Sequence, residues 1–530
     1  MEPRASSLSQ NIGNESVLPP EPLTHVAELR SATQLSMQGD LLQARAVWNQ
    51  LLAHAPEGPQ KNTIRNNVAV LDAALGDPRG AELQLESLKR SGDCGAAVLH
   101  NLSLLAEGSG NNPRKPVRRP RIAVLSFLFN WPSTGGGIIH TVELVQFLSK
   151  AGFEVALLHP VFPSWRLGSV DVDCPIPTVP IAFSEADWTV ENVQRKFREA
   201  VDAFSPEHVV ITDCWNFKPH LAAAMQGYSY LLRMQALECL CPLNNLRLKP
   251  GPSGAFLQCS QSQPKDPESC AECLRANDWS SGALHRAERT FSGVGSKSYD
   301  ALLRASVREA TAVLVLNKSA KALWEPYCEN VRVVTWGMDS ARFPAVDFSE
   351  TECADLSRPV RFLFAGLPNE PIKGFSVVRD ACRALWEHRQ DFELWVTADR
   401  VSGVDEPFLR WIGWQSQTQL PDWYRRADVV VVPTLAQDGL SRTAVEGMAS
   451  GKAVLGSRLG SLPEVVAEGV TGLLAEPGDV DDWNRQLAWL LDHPQERHAM
   501  GRAGREQFEC QFTWERVIEG QYRPLLESVV

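Results

Sequence analysis

Asp428-Val-Val-Val-Val-Pro433-Thr434, followed closely by Asp438-Gly-Leu-Ser-Arg-Thr-Ala-Val-Glu446-Gly-Met-Ala-Ser-Gly451, is the stretch on which the fold turns. Four valines in a row, closed by Pro433, read as a short strand buried on both faces. A polar loop follows, and a helix starts near Ser441. The first turn of such a helix carries backbone N–H groups without partners and a partial positive charge, which suits a diphosphate. Ser441 and Thr443 can add hydroxyl donors, and Arg442 a charge-assisted bond. Asp438 and Glu446 flank that terminus, so their natural partners are sugar and ribose hydroxyls rather than phosphate. The structural alternative is that Asp438 caps the loop and Glu446 pairs with a basic neighbour.

Working outward, the same alternation of apolar strand and helix fills the rest of the chain from Arg121. Strands are predicted at 122–128, 154–159, 208–212, 230–234 and 312–316, then at 360–365, 392–397, 429–433 and 453–457. An amphipathic helix is predicted over 141–151. This pattern implies an α/β class with two parallel sheets covered on both faces, meeting at a cleft beyond the carboxyl ends of their strands.

Before Arg121 the pattern is different. Gly39-Asp40-x-x-x-Ala44 recurs as Gly76-Asp77-x-x-x-Ala81, and 67–71 resembles 101–105, which predicts paired helices with an internal repeat. They resemble tetratricopeptide repeats, a surface for a protein partner or self-association, or a packing appendage. The expected organisation is a disordered tail (1–20), an all-α helical-repeat domain (21–110) and a basic linker (111–120). A first Rossmann-like lobe (121–335) with a Cys-rich insertion (239–278), a second lobe (336–510) and a return helix (511–530) follow. With 44% hydrophobic and 22% charged residues the composition is that of a soluble globular protein. A net charge of −11 argues against nucleic-acid binding. No signal-like leader or transmembrane run is read, so a cytoplasmic protein, at most peripheral to a membrane, is expected.

The ordered motifs of residues 121–525 resemble the retaining glycosyltransferases of family four (glycosyl transferases group 1), which have the GT-B fold. The family's Glu-x7-Glu stands here as Asp438 and Glu446, followed by Gly447-Met-Ala-Ser-Gly451, Gly460-Ser-Leu-Pro-Glu464, Gly469-Val-Thr-Gly472 and Pro477-Gly-Asp479. The resemblance implies catalytic roles for Asp438 and Glu446. It implies donor contacts for Gly136, Gly137, Gly366, Lys373, Gly413, Leu440, Ser441, Arg442 and Thr443. It implies a nucleotide-sugar co-substrate, UDP by family frequency, and no catalytic metal or other cofactor. The acceptor is a glycan, metabolite, lipid-linked sugar or polypeptide.

Three departures are visible. The first acid is Asp438, one methylene shorter than the family's Glu; Leu367 replaces the Arg beside Gly366; and the first lobe offers Asp213 and Gln235 where relatives carry a His. Asp213 is then a candidate catalytic helper or a strand-end turn residue. His140 is expected as a polar helix-start residue. In a front-face retaining mechanism the leaving diphosphate takes the acceptor's proton, so the reading remains an active transferase. The alternative is an impaired transferase-like scaffold that binds a partner through its helical repeats.

Cys239, Cys241, Cys259, Cys270 and Cys273 cluster in the Pro- and Ser-rich insertion. Cys270-x-x-Cys273 has metal-hairpin spacing, and Cys259 with Cys241 or Cys239 can complete four thiolates for a structural Zn²⁺, with Cys241, Cys259, Cys270 and Cys273 as the set taken; disulfides and unligated thiols are the other readings left open.

Overall fold

In the computed structural model the described residues are 31–32, 34–36, 41–55, 59–75, 78–90, 98, 101, 120–133, 135–251, 256–344, 358–437 and 439–527. The chain divides into two compact units, 1–117 and 118–530.

The first unit holds helices α1 (Leu41–His54), α2 (Pro59–Ala74) and α3 (Pro78–Arg90), with α1 packed on α2 and α2 on α3. Trp48, Leu51, Ile64, Val68 and Leu71 form one apolar cluster, and Ala81, Leu85 and Leu88 belong to another with Ala69. The repeated small residues Ala44 and Ala81 are both fully buried, where a larger side chain would push two helices apart. The Gly-Asp pairs expected at the turns, and the tail 1–20, lie outside the described residues.

The second unit is built on two parallel sheets. In the first the strands are β1 (Arg121–Ser126), β2 (Glu154–Val161), β3 (Thr178–Ala182), β4 (His208–Thr212), β5 (Ser229–Arg233), β8 (Ala312–Val315) and β9 (Val331–Val333), in the order β3-β2-β1-β4-β5-β8-β9. Between β5 and β8 the insertion adds a small antiparallel hairpin, β6 (Leu248–Pro250) with β7 (Phe256–Gln258). The second sheet holds β10 (Val360–Phe364), β11 (Phe392–Val396), β12 (Leu409–Trp411), β13 (Val429–Val432), β14 (Ala453–Ser457) and β15 (Gly472–Ala475), ordered β12-β11-β10-β13-β14-β15. All pairings within the two large sheets are parallel, with β1 between β2 and β4, and β10 between β11 and β13. The order reverses beside β1 and β10, which opens a crevice at the carboxyl end of each sheet.

Valine-rich strands sit where burial on both faces favours them: Val429 to Val431 are at most 1% exposed. Three helices border the site. Helix α4 (Gly136–Lys150) follows β1, helix α5 (Phe375–Trp386) follows β10, and helix α6 (Arg442–Ala449) follows β13. The C-terminal segment returns to the first lobe, where Trp514, Val517, Ile518, Tyr522 and Leu526 join the core with Val124, Leu144 and Leu148. Its polar groups are used too. The Leu526 carbonyl accepts from His208 Nε2 at 2.9 Å, and Arg233 Nε donates to the Tyr522 hydroxyl at 3.0 Å.

Among the described residues, no helix is long and apolar enough to cross a membrane.

Candidate active site

The two strand-to-helix turns after β1 and β13 face each other across the cleft. Ser441 caps α6: its hydroxyl accepts from the Ala444 amide at 3.4 Å, and its own amide donates to Ser461 Oγ at 3.1 Å. Opposite, α4 begins at Gly136 with Gly135 at the cap position and no side chain in the capping role. Both termini therefore point unshared first-turn amides toward the cleft.

A cavity of about 270 Å³ lies between them. Its wall takes Gly136, Gly137, Gln235, Leu246 and Trp336 from the first lobe, and Gly366, Lys373, Leu440, Ser441, Arg442 and Thr443 from the second. Eight of the nine donor-contact residues read from the sequence thus share one wall. Gly413 does not: it follows β12 with φ +84°, beside Asp399, and is not among the lining residues.

Lys373 ends a tight turn, Pro371–Lys373, that Gly374 closes at φ +70°. A Cβ on Gly374 would stand 1.7 Å from the Pro433 carbonyl oxygen, so only glycine lets this turn pack against the end of β13. The ammonium of Lys373 has no anionic partner among the described residues, and Leu367, in the same loop, is half exposed.

Arg442 is the most constrained cation of the site. Its Nη2 donates to Glu143 Oε1 of α4 at 3.1 Å, and its Nε to Glu446 Oε1 at 3.0 Å. The two carboxylates raise its pKa against the opposing effect of burial, so it is always charged. The third nitrogen, Nη1, is buried and has no partner. Glu446 itself is 4% exposed and lies behind Arg442 rather than on the cavity wall. The Tyr424 hydroxyl bonds to it as well, and burial with the Glu446 charge raises that phenol well above its ordinary pKa. Asp438, the other carboxylate read from the sequence, lies outside the described residues. Thr443 turns its hydroxyl to the Ala365 carbonyl at 3.4 Å.

On the first-lobe side the floor is a polar network. Asp213 ends β4 in the left-handed region, φ +48°, and its Oδ2 accepts from Ser126 Oγ at 2.9 Å and Thr141 Oγ1 at 2.8 Å. The Gln235 amide bonds to Asp213 Oδ1 and donates to Thr212 Oγ1 at 2.7 Å. Burial raises the Asp213 carboxyl above its usual range, against the lowering effect of Arg233. Asp213 is therefore a turn residue and a network anchor together, one shell behind Gln235, which faces the cavity.

His140, expected from the sequence as a polar helix-start residue, lies past the first turn of α4. It is fully buried, stacked between Trp336 at 4.6 Å and Trp514 at 4.5 Å, with Nδ1 bonded to Arg233. Burial, then the charges of Arg233 and Arg442, hold its pKa well below the ordinary value, so the ring is neutral. Sequence reasoning missed Glu143 and Trp336. Glu143 carried a signal, a single acid on the otherwise apolar face of 139–148; Trp336 carried none.

Among the described residues, three buried polar atoms of cavity-wall side chains have no partner: Arg442 Nη1, Gln235 Oε1 and Trp336 Nε1. Each such group costs about 1–3 kcal/mol when left unpaired. Together with Lys373 they describe a surface made for an anionic, hydroxyl-bearing ligand.

Residues 359–493 match the family model described as Glycosyl transferases group 1. The chain is 38% identical over 112 residues to a lipopolysaccharide 1,2-N-acetylglucosaminetransferase of Salmonella typhimurium, covering 20% of this chain and 28% of that protein. The chain spans about three tenths of the length of such curated relatives. Among solved structures it is similar to sucrose-phosphate synthase from Thermosynechococcus elongatus (TM-score 0.53, 17% identity, 77% of this chain and 100% of that one). It is also similar to HepE of Anabaena in complex with UDP-glucose (TM-score 0.51, 14% identity, 77% and 100%). The second unit accordingly has the two-lobed GT-B fold, and its second lobe carries a glycosyl transferases group 1 domain.

Proposed function

We propose that the chain is a glycosyltransferase that moves a sugar from a UDP-sugar to a hydroxyl acceptor, with retention of configuration. The observation that carries this reading is the interlobe cavity, where Lys373 and Arg442 Nη1, both without a partner among the described residues, meet the first turn of α6. A diphosphate supplies the anionic oxygens that these donors lack.

Lys373, Arg442, Ser441, Thr443 and the α6 amides take the diphosphate. Gly136 and Gly137 let the α4 backbone approach from the other side, with Gly366 and Leu440 completing the wall. Asp438 and Glu446 are assigned to sugar and ribose hydroxyls, and Gly413 to the nucleotide end of the donor. During transfer the bond between the anomeric carbon and the phosphate oxygen breaks. The acceptor oxygen bonds on the same face, and its proton passes to the departing diphosphate. No side-chain base and no catalytic metal is assigned. The protein contributes orientation and charge stabilisation of the leaving group. Asp213 acts by holding the Gln235 amide at the wall. The choice of UDP is supported by the nucleotide in the HepE complex of the same fold.

A thermal-shift series with UDP, GDP, ADP and their sugars tests the reading, since a ligand that binds only the folded state raises its stability. UDP at about a hundred times its Kd adds about 2.7 kcal/mol, a rise of several degrees. If no nucleotide moves the melting point, the donor assignment falls and the scaffold reading takes its place. If UDP binds but no UDP-sugar is turned over, even by Asp438→Glu, transfer falls and nucleotide binding stands.

A further inference from the structure

The insertion between β5 and β8 is held at its base, where Leu237 and Leu240 join the first-lobe core and Arg289 donates to the Pro242 and Leu243 carbonyls at 3.1 Å, and is looser at its tip. Its hairpin is three residues a side, with Phe256 and Leu257 exposed, and the loop before it places Cys239, Asn245 and Arg247 at positive φ. Yet it borders the donor cavity. Leu246 lines that cavity, and Gln258 Nε2 donates to the Leu435 carbonyl of the second lobe at 3.2 Å.

Four cysteines converge at its centre. Cys241 follows β5, Cys259 follows β7, and Cys270 and Cys273 lie one turn apart on the helix Pro267–Asn277. All four line a single small cavity of about 20 Å³ and stand within electrostatic reach of one another. That volume holds one small particle and nothing larger. Cys239, the fifth cysteine, turns away and donates to the Trp215 carbonyl at 3.2 Å. Every described cysteine is a free thiol. Among the described residues no three ligand-type side chains stand at metal-binding spacing. The thiols ring the cavity from its walls, and holding one ion requires them to turn onto a common centre by rotation about χ1.

We propose that Cys241, Cys259, Cys270 and Cys273 bind one Zn²⁺ as four thiolates and so fix the insertion against the donor cavity. Binding releases four protons and leaves a complex of net charge −2, with no change of oxidation state. Two features suit that charge. Lys249 lines the same cavity, and Cys270 sits in the opening turns of its helix, where the dipole favours an anion. Four thiolates leave no open position on the metal, so the site is structural. The inference does not depend on the transferase reading, because it is read by metal content.

The test uses the full-length protein expressed with zinc in the medium, purified without chelator and desalted. Elemental analysis should give about one zinc per chain, and cobalt substitution should give the d–d absorption of a tetrahedral thiolate complex. Cys270→Ser with Cys273→Ser should lose the metal, while Cys510→Ser, an exposed cysteine elsewhere, should keep it. Should the double variant fail to fold, the zinc content of the unaltered protein decides. Less than about a tenth of a zinc per chain overturns the proposal. So does an intact mass lower by two protons for a disulfide within this set.

Discussion

Arg442 on α6 donates to Glu143 on α4 at 3.1 Å, so one guanidinium joins the second lobe to the first directly at the wall of the donor cavity. The same Glu143 accepts from the Trp514 indole at 3.0 Å and faces Arg342 at 3.7 Å. Both partners are about nine-tenths buried, at 13% and 10% side-chain exposure, so solvent screens the pair weakly.

Removing one partner takes a counter-charge from a buried group that keeps another, Glu446 for Arg442 and Arg342 for Glu143, so the cost falls below the roughly 3–5 kcal/mol of a fully stranded charge, and removing both costs less than the sum. Arg442→Met and Glu143→Gln should each lower the urea midpoint, and the double variant should fall short of their sum by about 2 kcal/mol. Urea titrations of the four proteins measure this. Additivity within about 0.5 kcal/mol would show that the pair does not couple the lobes.

The same residue bears on donor affinity through its Nη1, but Lys373 gives the cleaner probe, because its ammonium has no anionic partner among the described residues. Lys373→Ala should weaken UDP binding by about tenfold, the loss of one charge-assisted contact of about 1.4 kcal/mol. Leu367→Arg, which restores a cation in that loop, should strengthen it about fivefold. Calorimetry with UDP reads both. An unchanged Kd in both variants would place the diphosphate elsewhere.

How much of this was legible in the sequence depends on the reach of each interaction. The Val429–Val432 strand, the Ser441 cap and the α4 glycines are local features, and their residue types announce them. The edge strand β3 was not seen because it is five residues with Pro180 inside it, and β12 is three residues long. Glu446 was read as a sugar or ribose contact, with pairing to a basic neighbour as the alternative; the structure shows its local pair with Arg442 one turn away, while its Tyr424 neighbour comes from another helix that the sequence did not announce. The burial of His140 between Trp336 and Trp514 joins three segments that no short window contains. Local chemistry was readable; contacts across the cleft were not.

Gly137 tests the floor of the site without touching a charge. A Cβ there would stand 2.7 Å from Gln235 Oε1 and 3.3 Å from Asp213 Oδ1. Gln235 cannot swing freely, since Thr141, Thr212 and Asp213 hold its amide. Gly137→Ala should therefore leave the fold intact and displace the amide from the cavity wall, lowering kcat/KM by about a hundredfold, the cost of a misplaced positioning group. A melting point within about 2 °C of the unaltered protein, with activity reduced, is the expected pairing. Full activity would show that Gln235 has no part in the site.

Glu288 supplies a test of the first lobe's interior. It is fully buried, its Oε2 accepting from Asn216 Nδ2 at 3.0 Å and its Oε1 from Ser292 Oγ at 3.1 Å. Burial raises its pKa from 4.5 to about 7, with the Asn216 and Ser292 hydrogen bonds and the Arg289 charge opposing. Between those two values the folded chain keeps the proton and the unfolded chain has lost it. Raising the pH through that window therefore favours unfolding, and the loss is complete above pH 7. The effect is at most about 3 kcal/mol, at 1.36 kcal/mol per pKa unit. Glu288→Gln imitates the protonated acid, and Ser292 can accept from the new amide instead of donating. The variant should match the unaltered protein near pH 5 and exceed it at pH 8, with the gap opening between. All other titrating groups cancel in that difference. Parallel stability curves across the range would mean that Glu288 is already ionised in the fold.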